Sequence, residues 1–365
     1  MALAGGVQVM STPITFVEFS RLRGLASDGR CKSFGASADG TGWAEGVGIL
    51  VLKRLAQAEA DGDEVLALIR GSAVNQDGRS QGLTAPNGPS QTRVIRRALE
   101  LSDLEPSAID YVETHGTGTT LGDPIEAGAL AGVFGPSRAE DSPLYLGASK
   151  SNLGHSQAAA GVVSVIKAVL SLSHEKMVKT LHADESSPHI KWEGSGLALI
   201  QEARNWPRSD EHTRRVGVSA FGLSGTNAHM ILEEAPANEV GSGTAETPWD
   251  VPLLISGKSE ERLRAQARRW ARWCRNNPEA SWADLVYTAS LRRTHDTSRA
   301  ALYAQSVAEA AEALDALAHG HPHPALQKGK GDSSGKLAFL FTGQGSQFVR
   351  MGKRLYDSEP TFKEA

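Results

Sequence analysis

Two glycine-flanked histidines carry the chemistry this sequence offers. His115 lies in Thr114-His115-Gly116-Thr117-Gly118-Thr119, and His155 lies 40 positions later in Lys150-Ser151-Asn152-Leu153-Gly154-His155. Each follows a short apolar run and precedes a helix-like stretch. Two such loops could place two ring N–H donors over one small carbonyl. A pair of neutral imidazoles would stabilise an enolate oxygen, whose charge develops only as the reaction proceeds. An ammonium and a helix N-terminus both disfavour imidazolium. His155 stands just before an apolar helix, and Lys150 lies in the same loop. Thr117 and Thr119 add hydroxyls suited to an amide-bearing ligand arm. The turn Gly222-Leu223-Ser224-Gly225 lets main-chain N–H groups approach a ligand, so it is a candidate oxyanion site. No cysteine or serine looks like a nucleophile for these histidines to serve.

Plainer readings stand beside these. A histidine at a strand end can be a hydrogen-bonded core residue, Lys150 can be surface charge, and the glycine turn can be a simple hairpin. Zinc held by both histidines lacks an evident third ligand. The run His319-Gly320-His321-Pro322-His323 reads as exposed linker, and no metal site is expected.

The elements that must position these groups alternate strand and helix up to about Pro236, as in an α/β layered domain. Residues 46–52 and 65–69 are apolar runs of strand length. Ser90 can cap a helix that carries Val94, Ile95, Ala98 and Leu99 on one face. Ile109 to Glu113 reads as a strand delivering His115 from its carboxyl end. Asp123 at the cap and Pro124 in the first turn start the next helix. The helix 158–170 is apolar almost all round and is expected to be buried. Residues 216–221 and 229–232 read as two strands joined by the glycine turn. Residues 237–250 are small and polar, which marks a linker. Beyond it, 253–256 and 337–341 read as strands, and 259–273 and 307–317 as amphipathic helices.

A chain of 365 residues with 40% hydrophobic and 22% charged residues has room for two or three ordinary globular domains. Its formal charge of −4 gives no reason to expect nucleic acid or an anionic membrane as partner. The two cysteines, Cys31 and Cys274, are far apart, so a disulfide framework is not expected and a reducing cytoplasm fits. No stretch reaches membrane-span length, and the start lacks the pattern of a signal peptide. The last residues read like the middle of a helix.

The motifs also carry a resemblance. Residues 112–127 (Val-Glu-Thr-His-Gly-Thr-Gly-Thr-Thr-Leu-Gly-Asp-Pro-Ile-Glu-Ala), 150–161, 219–229 and 70–78 resemble, in order and spacing, the ketosynthase domain of modular type I polyketide synthases. The resemblance implies a partial thiolase-like αβαβα layered domain followed by a small α/β linker domain. Residues 1–236 would be the carboxyl-terminal part of the β-ketoacyl synthase. Residues 237–335 would be the ketosynthase–acyltransferase linker domain, and 336–365 the start of the acyltransferase.

The implied activity is decarboxylative Claisen condensation of an acyl chain with a carrier-bound malonyl-type extender. His115 and His155 would hold the thioester carbonyl, and Lys150 would order the charge around them. Thr117 and Thr119 would bind the 4′-phosphopantetheine arm, which the acyl carrier protein partner carries; the chain itself would bind no cofactor. The Leu223 N–H would serve as oxyanion donor, with Phe221 and Gly222 beside the pocket. Gln344 would contribute an oxyanion contact to the acyltransferase. The parent enzyme would be a homodimer. The family's nucleophilic cysteine lies upstream of Ala2-Leu3-Ala4-Gly5-Gly6, and the acyltransferase serine would lie beyond Ala365. Cys31, in a loop sequence without the nucleophile elbow, does not replace the missing thiol. The chain alone is therefore expected not to condense, and to act as a fragment, a complementing subunit or a scaffold.

Overall fold

A computed structural model describes residues 1–80, 82, 85–139, 141–236, 251–304, 306–331 and 343–365. The expected linker 237–250 and strand 337–341 lie outside the described residues. The chain divides into two compact units, Met1–Asn238 and Glu239–Ala365.

In the first unit, β1 (Ala2–Gln8) pairs antiparallel with β2 (Gly46–Leu52) as a two-stranded ribbon. Between them runs α1 (Ile14–Arg21), and α2 (Leu55–Ala60) follows β2. A six-stranded mixed sheet forms the centre. Its members are β3 (Ala67–Gln76), β4 (Tyr111–Glu113), β5 (Leu144–Gly147), β7 (Leu197–Leu199), β9 (Arg215–Phe221) and β10 (Thr226–Glu234), in the order β3-β10-β9-β4-β5-β7. Two short strands, β6 (Lys176–Met177) and β8 (Arg204–Asn205), pair separately. The pairs β9–β4, β4–β5 and β5–β7 are parallel, whereas β10 runs antiparallel to both its neighbours.

Alternation along the strands splits the core between the two faces of this sheet. Val112, Leu144, Leu146 and Ile231 pack on one face against α3 (Gly88–Ser102) and α4 (Gly122–Phe134) through Ile95, Ala98, Leu130 and Phe134. Tyr111, Val216, Val218 and Leu232 turn to the other face and meet Val165, Ala168 and Leu172 of α6 (Ala160–Ser173). Between β5 and α6 lies one short turn of helix, α5 (Lys150–Leu153).

Three local readings need correction. The cap of α3 is Asn87, whose side chain accepts the Ser90 N–H; Ser90 sits in the first turn and its hydroxyl accepts from Arg93. The N-cap of α4 is Leu121, with Asp123 inside the helix, because the Asp123 carboxylate is claimed by main-chain donors elsewhere. α6 is buried or half-buried along most of its length rather than throughout, with Leu170 near its end half exposed.

The ribbon packs on the start of α6 by means of glycine. A Cβ on Gly48 would stand 2.8 Å from Val162 Cγ1, and one on Gly6 would stand 2.4 Å from the Ala158 carbonyl oxygen. Its other face carries Leu3, Val7, Val47, Ile49 and Val51, each more than half exposed.

The second unit is a three-stranded antiparallel sheet, β11 (Leu253–Gly257), β12 (Ser298–Leu302) and β13 (Leu326–Lys330). It is packed by α7 (Glu260–Asn276), α8 (Trp282–Leu291) and α9 (Val307–His319) around Leu253, Leu263, Ala267, Leu302, Leu314 and Leu317. β13 and α8 carry no expectation from sequence; the Leu-Gln-Lys-Gly-Lys of β13 is an edge strand with mostly exposed side chains.

Candidate active site

His115 emerges two residues after β4, and His155 follows α5, so the parallel neighbours β4 and β5 deliver both loops to the same carboxyl edge of the sheet. The two rings meet edge to face with centroids 5.5 Å apart. They border a cavity of about 410 Å³ lined also by Thr117, Thr119, Phe221, Gly222 and Leu223.

Main-chain donors orient each ring. His115 Nδ1 accepts the Phe221 N–H at 3.3 Å, and His155 Nδ1 accepts the Gln157 N–H at 3.0 Å. A neutral imidazole that accepts at Nδ1 carries its proton on Nε2. Both rings therefore present an Nε2–H donor. Burial pushes the His115 ring well below the ordinary histidine range, with the Lys150 ammonium and His155 adding to the effect. Burial and Lys150 together lower His155 to about 3. Trp43 packs on His155 at 5.1 Å, and the His155 main chain is pinned by its N–H to the Gly42 carbonyl and by its own carbonyl to the Ala44 N–H.

The His115 loop hangs on two carboxylates of α4. Glu126 accepts the N–H groups of His115 and Gly116, both at 2.8 Å. Asp123 accepts those of Phe34 at 2.7 Å and Gly118 at 3.1 Å. Burial raises Asp123 to about 6 and Glu126 to about 7, against the pull of these donors. Lys150 is buried too, which lowers its ammonium, while Glu113 and Glu126 oppose that shift. Glu113, at the end of β4, ties the two loops together. It accepts the Ser149 N–H, the Tyr111 hydroxyl and the Lys167 ammonium, the last at 2.7 Å. Its burial would raise its pKa, but Lys167 together with the Tyr111 and Ser149 donors outweighs that and holds it down.

Comparison with known proteins bears on this constellation. Family models match residues 1–58 as "Beta-ketoacyl synthase, N-terminal domain", 66–184 as "Beta-ketoacyl synthase, C-terminal domain" and 252–314 as "CurL-like, PKS C-terminal". Polyketide synthase GfsA of Streptomyces halstedii is 52% identical over all of this chain. Erythronolide synthase EryA2 of Saccharopolyspora erythraea is 50% identical, also over all of it. The chain belongs to the ketosynthase family of modular type I polyketide synthases.

It spans 5% of GfsA and 10% of EryA2. A ketosynthase from module 6 of the bacillaene synthase of Bacillus subtilis 168 superposes with a TM-score of 0.81 at 34% identity, covering all of this chain and 60% of the other. The oxazolomycin ketosynthase domain OzmH KS7 from Streptomyces albus JA3453 gives 0.82 at 36%, covering 90% of this chain and 57% of the other. The fold is thiolase-like.

Of the residues singled out by sequence in this ketosynthase chain, His115, His155, Thr117, Thr119, Phe221, Gly222 and Leu223 share the one cavity. Lys150 lies buried near the histidines, close enough for its ammonium to act on both. Gln344 lies in the second unit and is exposed. In the glycine turn, the Gly222 N–H bonds to the Thr226 carbonyl and the Gly225 N–H to the Gly222 carbonyl. The Leu223 N–H enters none of the hydrogen bonds of the described residues. Thr119 is partly engaged, its hydroxyl accepting the first amide of α4, the Gly122 N–H, at 3.1 Å. Neither cysteine lines the cavity. Cys31 is buried and accepts the Gly42 N–H at 3.2 Å, and Cys274 belongs to the core of the second unit.

The part that Asp123, Glu126, Glu113 and Trp43 play in the site is not foreseen from the sequence, where Asp123 stands only as a helix cap and Glu113 as a strand end. The available signal was three buried-looking carboxylates beside apolar residues in 113–126, two of them one helical turn apart at 123 and 126.

Proposed function

We propose that this cavity takes the acyl thioester of a phosphopantetheine arm, and that the histidine pair stabilises the enolate formed when a malonyl-type extender loses carbon dioxide. One observation carries the reading: two neutral rings, each with Nδ1 occupied by a main-chain N–H and Nε2 left to donate, border the same cavity. In the step itself the bond from the α-carbon to the carboxylate breaks and carbon dioxide leaves. Its electron pair moves into the thioester, and the carbonyl oxygen becomes an enolate oxygen held by the two N–H groups. Donors fixed before the charge forms need no reorganisation as it develops. Thr117 and Thr119 bind the arm, and the unused Leu223 N–H is the oxyanion donor for acyl transfer, with Phe221 and Gly222 shaping the wall.

Condensation needs a covalent acyl carrier on the enzyme. With neither cysteine on the cavity, this chain by itself decarboxylates without elongating. Its partners are an acyl carrier protein and, in the parent assembly, a second ketosynthase copy. Its place of work is the cytoplasm, and the described residues contain no helix long and apolar enough to cross a membrane. Residues 1–236 serve as the carboxyl-terminal part of the ketosynthase, 237–335 as the linker domain and 336–365 as the opening of the acyltransferase, where Gln344 takes its oxyanion role.

A second reading, a complementing subunit that works only with a separate polypeptide, is favoured by the exposed apolar face of the β1–β2 ribbon. Both are tested by carbon dioxide release from malonyl-phosphopantetheine. The first expects release that falls at least tenfold in His115→Ala and His155→Ala, the loss of one preorganised donor being worth about 10²-fold or more. Release no faster than in these variants refutes decarboxylation by the chain alone. Recovery on adding a ketosynthase amino-terminal fragment then selects the second reading.

A further inference from the structure

We propose that Arg23 receives the phosphate of the phosphopantetheine arm at the mouth of the cavity. The proposal rests on the reading that the cavity takes a pantetheine thioester, and it assigns the arm's other end.

Five charged side chains other than the histidines line this space: Arg23, Asp39, Asp77, Asp123 and Glu126. The four acids are all engaged. Asp39 is paired with Lys32 at 2.6 Å, and Asp77 accepts the Asn227 side-chain amide at 2.7 Å. Asp123 and Glu126 face main-chain N–H groups. The Arg23 guanidinium has no acceptor among the described residues, so it is the one charge on the wall left for a ligand.

Its position suits an anion that enters last. His115 and His155 are half-buried at one part of the cavity wall, whereas Leu22, Arg23 and Leu121 are exposed. A thioester carbonyl at the imidazoles would direct the distal phosphate outward to these residues. The backbone fixes where Arg23 stands. The residue has φ +54° just past the end of α1, its N–H donates to the Ser20 carbonyl, and the next N–H, of Gly24, donates to the Phe19 carbonyl. A non-glycine residue in that left-handed region is uncommon. Guanidinium is the side chain whose fork of donors matches phosphate oxygens.

The test uses the full chain and dissociation constants from NMR shift titrations with pantetheine, 4′-phosphopantetheine and inorganic phosphate. The wild type should prefer phosphopantetheine to pantetheine by about tenfold, the low end of a hydrogen bond to a charged group. Arg23→Gln should abolish that preference while binding pantetheine as the wild type does, and Arg23→Lys should keep part of it. Inorganic phosphate should bind far more weakly than the arm. A preference that survives in Arg23→Gln, an equal loss of both pantetheine ligands, or phosphate binding as tight as phosphopantetheine each overturns the assignment of Arg23 alone. Failure of the wild type to bind either pantetheine ligand overturns the cavity reading and this proposal together.

Discussion

His229 offers the sharpest test of how this fold treats buried imidazoles. It lies on β10 opposite Ser219 of β9, whose hydroxyl is 3.0 Å from its Nδ1, while its Nε2 is buried without a partner. Burial alone lowers its pKa to about 4. The folded value is thus depressed below the ordinary 6.5, and the unfolded chain binds the extra proton between those two values. Stability from the neutral ring is complete above about pH 6.5 and is lost as pH falls toward about 4. Between about pH 7.5 and about pH 5 the loss from this one residue is about 2 kcal/mol. Asp123 and Glu126 work in the other direction, since their raised values favour the folded state at lower pH. They are common to wild type and variant, so they cancel in a comparison. In His229→Asn the amide oxygen still meets Ser219 but cannot titrate, and its packing cost does not depend on pH. Unfolding free energies from hydrogen exchange of the β9–β10 peptide across urea, at both pH values, should show the variant losing about 2 kcal/mol less than the wild type on acidification. Equal pH dependence in the two proteins refutes the argument that this ring is held uncharged by burial.

Other expectations follow from the same geometry. Lys150→Met removes the ammonium that disfavours imidazolium, so both His115 and His155 should titrate at higher pH, as read from their ring C–H NMR signals; unmoved titrations would mean that burial does all the work. Glu126→Ala strands the His115 and Gly116 N–H groups and should cost about 2–4 kcal/mol in urea unfolding, against the near-neutral effect expected if the loop holds itself. Gly217→Ala would place a Cβ 2.9 Å from His229 Cε1 and Nε2 and 3.1 Å from Val112 Cγ2; it should destabilise by about 1–3 kcal/mol, and wild-type stability would show that the β9–β10 core yields more easily than its contacts imply.

What the sequence disclosed was the part of the site that depends on short-range order. His115 after a strand, the glycine turn between β9 and β10, and the two-sided apolar strands all follow from local pattern, since period and turn chemistry act within a few residues. What stayed hidden depends on partners far along the chain. Asp123 looks like a helix cap because an acid before a proline normally is one. Here its carboxylate is drawn to the N–H of Phe34, 89 positions away, and the cap passes to Leu121. Glu113 reads as an ordinary strand-end residue, yet it gathers donors from Ser149, Lys167 and Tyr111. The helix after His155 is apolar all round by composition, and only the packed structure shows that Leu170 is left half exposed. Alternation could not reveal β13, because an edge strand has little to bury.

The amide donors to the two Nδ1 atoms explain why histidine, and no other side chain, serves at both positions. The site asks one residue to accept close to the backbone and to donate a few ångströms further out, without carrying charge. Asparagine has the near acceptor but nothing beyond it. Glutamine reaches the distance but offers nothing at the inner position. Tyrosine and tryptophan donate at their tips and leave the Phe221 or Gln157 N–H facing carbon. An imidazole is a flat plate with a socket on one edge and a plug on the other, so fastening it inward is what points it outward.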